Sequence, residues 1–304
     1  MSHVQPRVTR RELLAGAAAV CLAPAILWSA TTNFAPTTKP DAVHPKFPIS
    51  ASDWMMLKRQ KPGALQLAKD CGLDGVEVDM GPLGKRPTFE NQLRDDSFRD
   101  SYISSGSQLN LAISSLAMSA FYGQPFADHP KAEEFGEEWI TLMTKLQTKV
   151  GFLPIIGDNR EGLIKLFRKL GPKAEQASVV LGLNTQLNAA ENIHLLDEIG
   201  SPAVRIAYNV GEAVDAKRDV YRELRDLKAH RIAQIIPTLS DGVWLENDKR
   251  IDVPKLKAVL DEIGWSGWLV LQRSRDEKNA RDVRYNFSAN ARYLRSIFQE
   301  KNAN

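Results

Sequence analysis

From residue 46 onward, short β-branched apolar runs alternate with longer stretches whose apolar residues recur at helical spacing. The runs KFPIS (46–50), GVEVD (75–79), LAISSL (111–116), GFLPII (151–156), SVVLGL (178–183), AVRIAY (203–208), RIAQII (231–236) and GWLVLQ (267–272) predict eight strands. Helices are predicted over 62–71, 90–106, 131–148, 160–176, 189–199, 217–229, 253–263 and 279–299. In 253–263, Val253, Leu256, Val259, Leu260 and Ile263 share one face; Asp252 precedes them as an N-cap and Gly264 follows as a stop. In 189–199, Ile193, Leu196 and Ile199 form the stripe, and Gly200 and Pro202 end it. Eight strand–helix units predict an α/β fold, a single closed parallel (β/α)8 barrel. A doubly wound open sheet is the alternative, but no GxGxxG opens a helix after an early strand, so its nucleotide-binding form lacks support. No short internal repeat or low-complexity tract interrupts the pattern.

The first 30 residues follow a different logic. Arg10 and Arg11 precede an uncharged apolar stretch from Leu13 to Ala30, broken by Pro24. This predicts a twin-arginine signal segment over 1–30, recognised by the twin-arginine export machinery. Residues 31–45, rich in Thr and Pro, predict a linker, and 46–300 the barrel. The expected location is periplasmic or otherwise extracytoplasmic, with Ala25 and Ala30 as alternative cleavage points. An uncleaved segment would instead anchor the chain, since the apolar run approaches the roughly 20 residues that span a bilayer. Val20 before Cys21 is bulkier than lipoprotein processing prefers.

Export changes the charge and the redox picture. Losing Arg7, Arg10, Arg11 and Glu12 takes the 40 basic and 37 acidic residues to 37 and 36, a net charge of +1. That near-neutrality argues against nucleic acid as a partner. Only Cys71 remains, so no intramolecular disulfide forms. The remaining length, about 270 residues, suits one eight-stranded barrel. Composition leaves the oligomeric state open.

Candidate chemistry is sparse. The five histidines are scattered without an i, i+4 ligand pair, and no GxSxG elbow is present. Glu77 alternates with Val76 and Val78, so it points into the barrel, either beside a ligand or paired with Lys or Arg. Asp79 at the same strand's end is the next acid. The following GPLGKR segment (81–86) is either a plain turn or a phosphate cradle with Lys85 and Arg86. Trp54, after Asp53, either stacks on a sugar ring or packs in the core. Arg273 and Arg275 follow the last strand, as anion receptors or as solvated loop charges. Asp158 is a candidate cap for the helix beginning near Asn159.

The segments FPISASDWMM, LAKDCGLDGVEVDMG, LLDEIGSP followed by AVRIAYNVGEA, and IDVPKLKAVLDEIGWSGWLVLQ, in this order, carry a resemblance. Over about 46–298 the chain resembles the xylose isomerase-like TIM barrels, the sugar phosphate isomerase/epimerase family, and most of all its exported twin-arginine members. The resemblance implies a ligand pocket at the C-terminal mouth of the barrel. There, a divalent metal held by Glu, Asp, His and Glu at the ends of strands five to eight would polarise a sugar carbonyl while carboxylates move a proton. Those four positions correspond here to Asn184, Asn209, Ile236 and Gln272. An amide carries no formal charge and is no general base near neutral pH, and an isoleucine offers no ligand atom. The neighbouring Glu175, Glu191, Glu212, His230 and Asp276 lie too far along the chain for a register slip to restore the site.

The resemblance therefore implies a divergent, metal-free member with no cofactor. Its expected partner is a small carbohydrate or sugar derivative, bound by Trp54, Asn184, Asn209, Gln272 and Arg273 or altered by metal-independent chemistry. An active isomerase, epimerase or lyase using Glu77 or Asp79 as general base is the alternative, and a non-catalytic scaffold with a filled mouth is a third.

Overall fold

The computed structural model describes residues 45–81 and 89–299. The expected signal segment, nearly all of the linker, and Lys85 and Arg86 lie outside the described residues. Eight parallel strands close in sequence order: β1 (Ile49–Ser52), β2 (Gly75–Asp79), β3 (Ala112–Ala117), β4 (Val150–Pro154), β5 (Val180–Asn184), β6 (Val204–Asn209), β7 (Ile232–Ile236) and β8 (Leu269–Leu271), with β8 pairing back onto β1. The predicted barrel is the observed one. Helices α1 (Gly63–Asp70), α2 (Asp96–Leu109), α3 (Ala132–Lys145), α4 (Arg160–Gln176), α5 (Ala189–Ile199), α6 (Val210–Asp215), α7 (Val220–Leu227), α8 (Val253–Glu262) and α9 (Val283–Phe298) connect the strands. No helix among the described residues is long and apolar enough to cross a membrane.

Strand alternation sorts the apolar residues into two layers. Val76 and Val78, Leu181 and Leu183, Ile206 and Leu269 belong to the large cluster between sheet and helices. Phe152, Ala207, Ile236, Trp268 and Val270 form a separate cluster in the barrel interior with Trp54. Both faces of a parallel sheet are thereby buried, which is why the strands read as continuous apolar runs. Gly151 faces outward, where any Cβ would collide with the ring of Trp139; the indole Nε1–H of Trp139 donates to the Leu116 carbonyl at 2.8 Å.

The helix boundaries follow local chemistry. Asp252 caps α8 by accepting from the Lys255 N–H, as its position predicts. At α5, Asn188 and Glu191 form a reciprocal capping box and Gly200 ends the helix at φ 75°. Two expectations shift. The cap of α4 is Asn159, whose side chain accepts from the Gly162 N–H, and Asp158 lies one residue outside. The segment predicted as one helix over 217–229 is preceded by the extra short helix α6, which starts directly at the end of β6. There the Asn209 side chain accepts from the Glu212 N–H at 3.3 Å. A cap formed by the last strand residue leaves no room for a loop, so the chain turns into helix at the barrel mouth.

Candidate functional site

Glu77 sits inside the barrel, fully buried, with four neutral donors around its carboxylate. Ser52 Oγ donates to Oε1 and Ser115 Oγ to Oε2, both at 2.7 Å. Gln234 Nε2 donates to Oε2 at 2.7 Å, and Gln272 Nε2 reaches Oε1 at 3.4 Å. These donors come from β1, β3, β7 and the residue after β8. Burial raises its pKa above the ordinary value, and the four hydrogen bonds oppose that rise without cancelling it. Neither Lys nor Arg bonds to Glu77 among the described residues, so hydroxyls and amides stand where the ion-pair alternative places a cation.

Asp79 belongs to a second buried group, closer to β1 and β3. Its Oδ1 accepts from the Ser119 N–H at 2.9 Å, and its Oδ2 lies 2.8 Å from Arg59 Nε. The Arg59 N–H is not aligned on that oxygen, so the contact is a proximity of charges more than a directed hydrogen bond. Asp53 accepts from the Gln60 N–H at 2.8 Å and from the Asp79 N–H at 3.2 Å. Both carboxyls are fully buried. Burial pushes Asp79 up to about 7 against the pull of Ser119 and Arg59, and burial followed by the neighbouring Asp79 raises Asp53 well above its ordinary value.

Two of the strand-end amides, Asn184 and Asn209, meet at a different acid, Glu212. Asn184 Nδ2 donates to Glu212 Oε2 at 3.0 Å, and Asn209 caps the helix that carries Glu212. Burial raises the Glu212 pKa, opposed by the Asn184 hydrogen bond and by the charge of Arg273. Glu212 sits three residues beyond the strand end, too far along the chain for a strand register to bring it to the site. The signal was present in Asn209-Val-Gly-Glu212, an N-cap residue followed three positions later by Glu.

A recess of about 40 Å³ marks the mouth, lined by Tyr122, Asn209, Glu212, Ile236, Gln272 and Arg273 among others. That is room for about one water-sized guest. Trp54 lies below the surface, 7% exposed, its ring 6.3 Å from that of Phe152. The Tyr122 ring is tilted at 44° to that of Phe152, 6.2 Å away, and keeps 38% exposure, making it the accessible aromatic of the mouth. It follows β3 in a short 3-10 turn, and no sequence pattern announces it. Of the two arginines after β8, Arg275 is committed to Asp241. The exposed guanidinium of Arg273 has no hydrogen-bond or ion-pair partner among the described residues. Nor do three His, Cys, Asp or Glu side chains among them converge in a metal-holding group.

Comparison with known proteins places this architecture. No curated protein matches the chain. Among solved structures, a sugar phosphate isomerase/epimerase from Parabacteroides distasonis superposes with a TM-score of 0.63 at 16% identity, covering 87% of this chain and 99% of that one. D-psicose 3-epimerase from Clostridium cellulolyticum gives 0.63 at 13% identity, covering 83% and 100%. A 3-keto-D-glucoside 4-epimerase from E. coli gives 0.61 at 14%, covering 82% and 99%. At such identities these likenesses speak for the fold alone. The model of the xylose isomerase-like TIM barrel matches residues 65–297, most of the chain, and the protein belongs to that family.

Proposed function

We propose that this protein is a metal-free, non-isomerising member of the family that binds a carbohydrate or sugar derivative across the barrel mouth. The observation that carries this reading is the side-chain set at the ends of strands five to eight: Asn184, Asn209, Ile236 and Gln272. A hard dication is held chiefly by carboxylates, to which neutral carbonyls, water and imidazole add as further ligands. Three amides and an isoleucine buried to 1% exposure do not fit one. Amides do suit sugar hydroxyls, since each offers both donors and an acceptor.

The two acids proposed as bases are poorly placed for turnover. Glu77 is fully buried and already accepts four hydrogen bonds. The recess above it holds a hydroxyl or hydroxymethyl group, not a ring. A ligand therefore lies over the rim, against Gln272, Asn209, Glu212 and Arg273, with Tyr122 as its aromatic face. Asp79 supports the alternative of metal-independent catalysis, because a carboxyl at about 7 is well tuned as a base. Its complete burial opposes that role. The filled interior, with Trp54, Phe152 and Ile236 packed together, favours the scaffold reading instead if no sugar binds. Relatives named as sugar epimerases support a carbohydrate as the partner. The Arg10–Arg11 pair supports export through the twin-arginine route to an extracytoplasmic compartment.

Calorimetric titration of the purified chain with a panel of neutral hexoses and uronic acids tests the proposal. We expect saturable binding that survives EDTA, with Gln272→Ala and Arg273→Ala each weakening it about tenfold. Stoichiometric Mn²⁺ uptake with epimerisation of D-fructose would overturn it, and so would silence across the whole panel.

A further inference from the structure

A second cavity opens off the barrel axis, at the C-terminal ends of β4 and β5. It encloses about 390 Å³, against about 40 Å³ at the mouth, and the two share no lining residue. That volume falls within the range of small-molecule sites, roughly 300–1,000 Å³. Phe126, Leu163 and Leu195 line it and are buried, while Ile155, Ile156 and Leu187 are half-buried. Most of the lining is apolar, so a ligand gains chiefly by burying an apolar body.

Of the five polar side chains in the lining, three are spoken for, and Gln186 is an exposed neutral amide. Thr185 Oγ1 donates to Asn192 Oδ1 at 2.7 Å. Asn159 caps α4 through its oxygen and donates through its amide to Asp128. The Arg160 guanidinium is held by Glu198 at 2.6 Å, which neutralises it. Asp158 differs. Asn159 has taken the capping role expected of Asp158, and the Asp158 carboxylate has no hydrogen bond or ion pair among the described residues. It is exposed at the rim. The cavity thus combines an apolar interior with one uncommitted negative charge, and its only lining cation is paired internally.

We propose that this cavity is a second ligand site, independent of the mouth, for a small amphipathic cation. An aromatic or branched aliphatic body fills the space beside Phe126, Leu163 and Leu195, and an ammonium group meets Asp158 at the rim. An anionic ligand of the same shape is disfavoured by Asp158 and finds no free cation, because Arg160 is occupied.

Three probes with a common phenyl body test this: phenethylamine, 2-phenylethanol and 3-phenylpropionate. Each is titrated into the full chain while the methyl resonances of Ile155, Ile156, Leu163 and Leu187 are followed by NMR. Saturable shifts confined to the methyls of the lining, those of Leu195 and Ala127 included, are expected, with the amine binding about fivefold more tightly than the alcohol and the carboxylate weakest. Asp158→Asn should bring the amine to the level of the alcohol and leave the alcohol unchanged. Ile156→Phe, at a half-buried position that tolerates bulk better than Leu163, should weaken all three. Absence of saturable shifts, equal binding of amine and carboxylate, or an Asp158→Asn variant that still prefers the amine would each overturn the proposal. None of these outcomes depends on whether a sugar binds at the mouth.

Discussion

Buried carboxylates are the most consequential single residues here. Asp79 with its pKa raised to about 7 retains a proton in the folded chain that the unfolded chain releases near pH 4. Between those values the native state binds more protons, so stability falls as pH rises and levels off above about 7. The raised Asp53 and Glu77 act in the same direction. The lowered carboxyls, such as Asp241 and Asp248, titrate below this window and act oppositely. Asp79→Asn should therefore flatten the stability profile, removing about 2 kcal/mol of the difference between pH 5 and pH 7 in urea unfolding. Parallel profiles for the two proteins would refute the assignment. The inward direction of Glu77 was legible from its alternation with Val76 and Val78. Its partners were not, because Ser52, Ser115 and Gln234 lie on three strands that only barrel closure brings together.

At the level of elements, α6 connects fold to site. It carries Glu212 into the mouth, and its start depends on one side chain from the end of β6. Asn209→Ala should cost about 1 kcal/mol, while Asn209→Ser should recover most of it, as read from thermal or urea unfolding. Both variants remove the Asn209 amide from the rim and should weaken sugar binding in the same titration, the alanine variant more so because it also loosens the helix that carries Glu212. Between sheet and helix, Gly151→Ala should destabilise by about 1–3 kcal/mol, because Trp139 already occupies the space and its indole is tied to Leu116. A neutral result would mean that α3 shifts freely, contrary to its tight packing. The main strands and helices were readable because periodicity encodes them directly. The short helix α6 is not legible in the periodicity, because six residues are too few for an apolar stripe, although its cap signature is in place.

For the molecule as a whole, the question is whether the barrel still holds a cation. Ligand binding to the native state raises stability by about 4 kcal/mol when the ligand stands at 1,000 times its dissociation constant. A retained micromolar metal site would thus lift the melting temperature by roughly 8–16 °C in millimolar Mn²⁺. We expect no such lift and no loss on EDTA treatment; a shift of that size would place the ligands elsewhere in the barrel. The sequence by itself determined the closed barrel, the inward acid and the uncharged residues at the strand ends. Each of these depends on local periodicity or on residue identity, which the chain carries without reference to distant partners. Only the tertiary structure decided that Glu77 is surrounded by four donors, that Trp54 is buried against Phe152, and that Glu212 joins Asn184 and Asn209. It also decided that the larger cavity lies beside the barrel axis rather than on it. Those features depend on side chains far apart in sequence competing for one small volume, and packing resolves that competition only once all eight strands have closed.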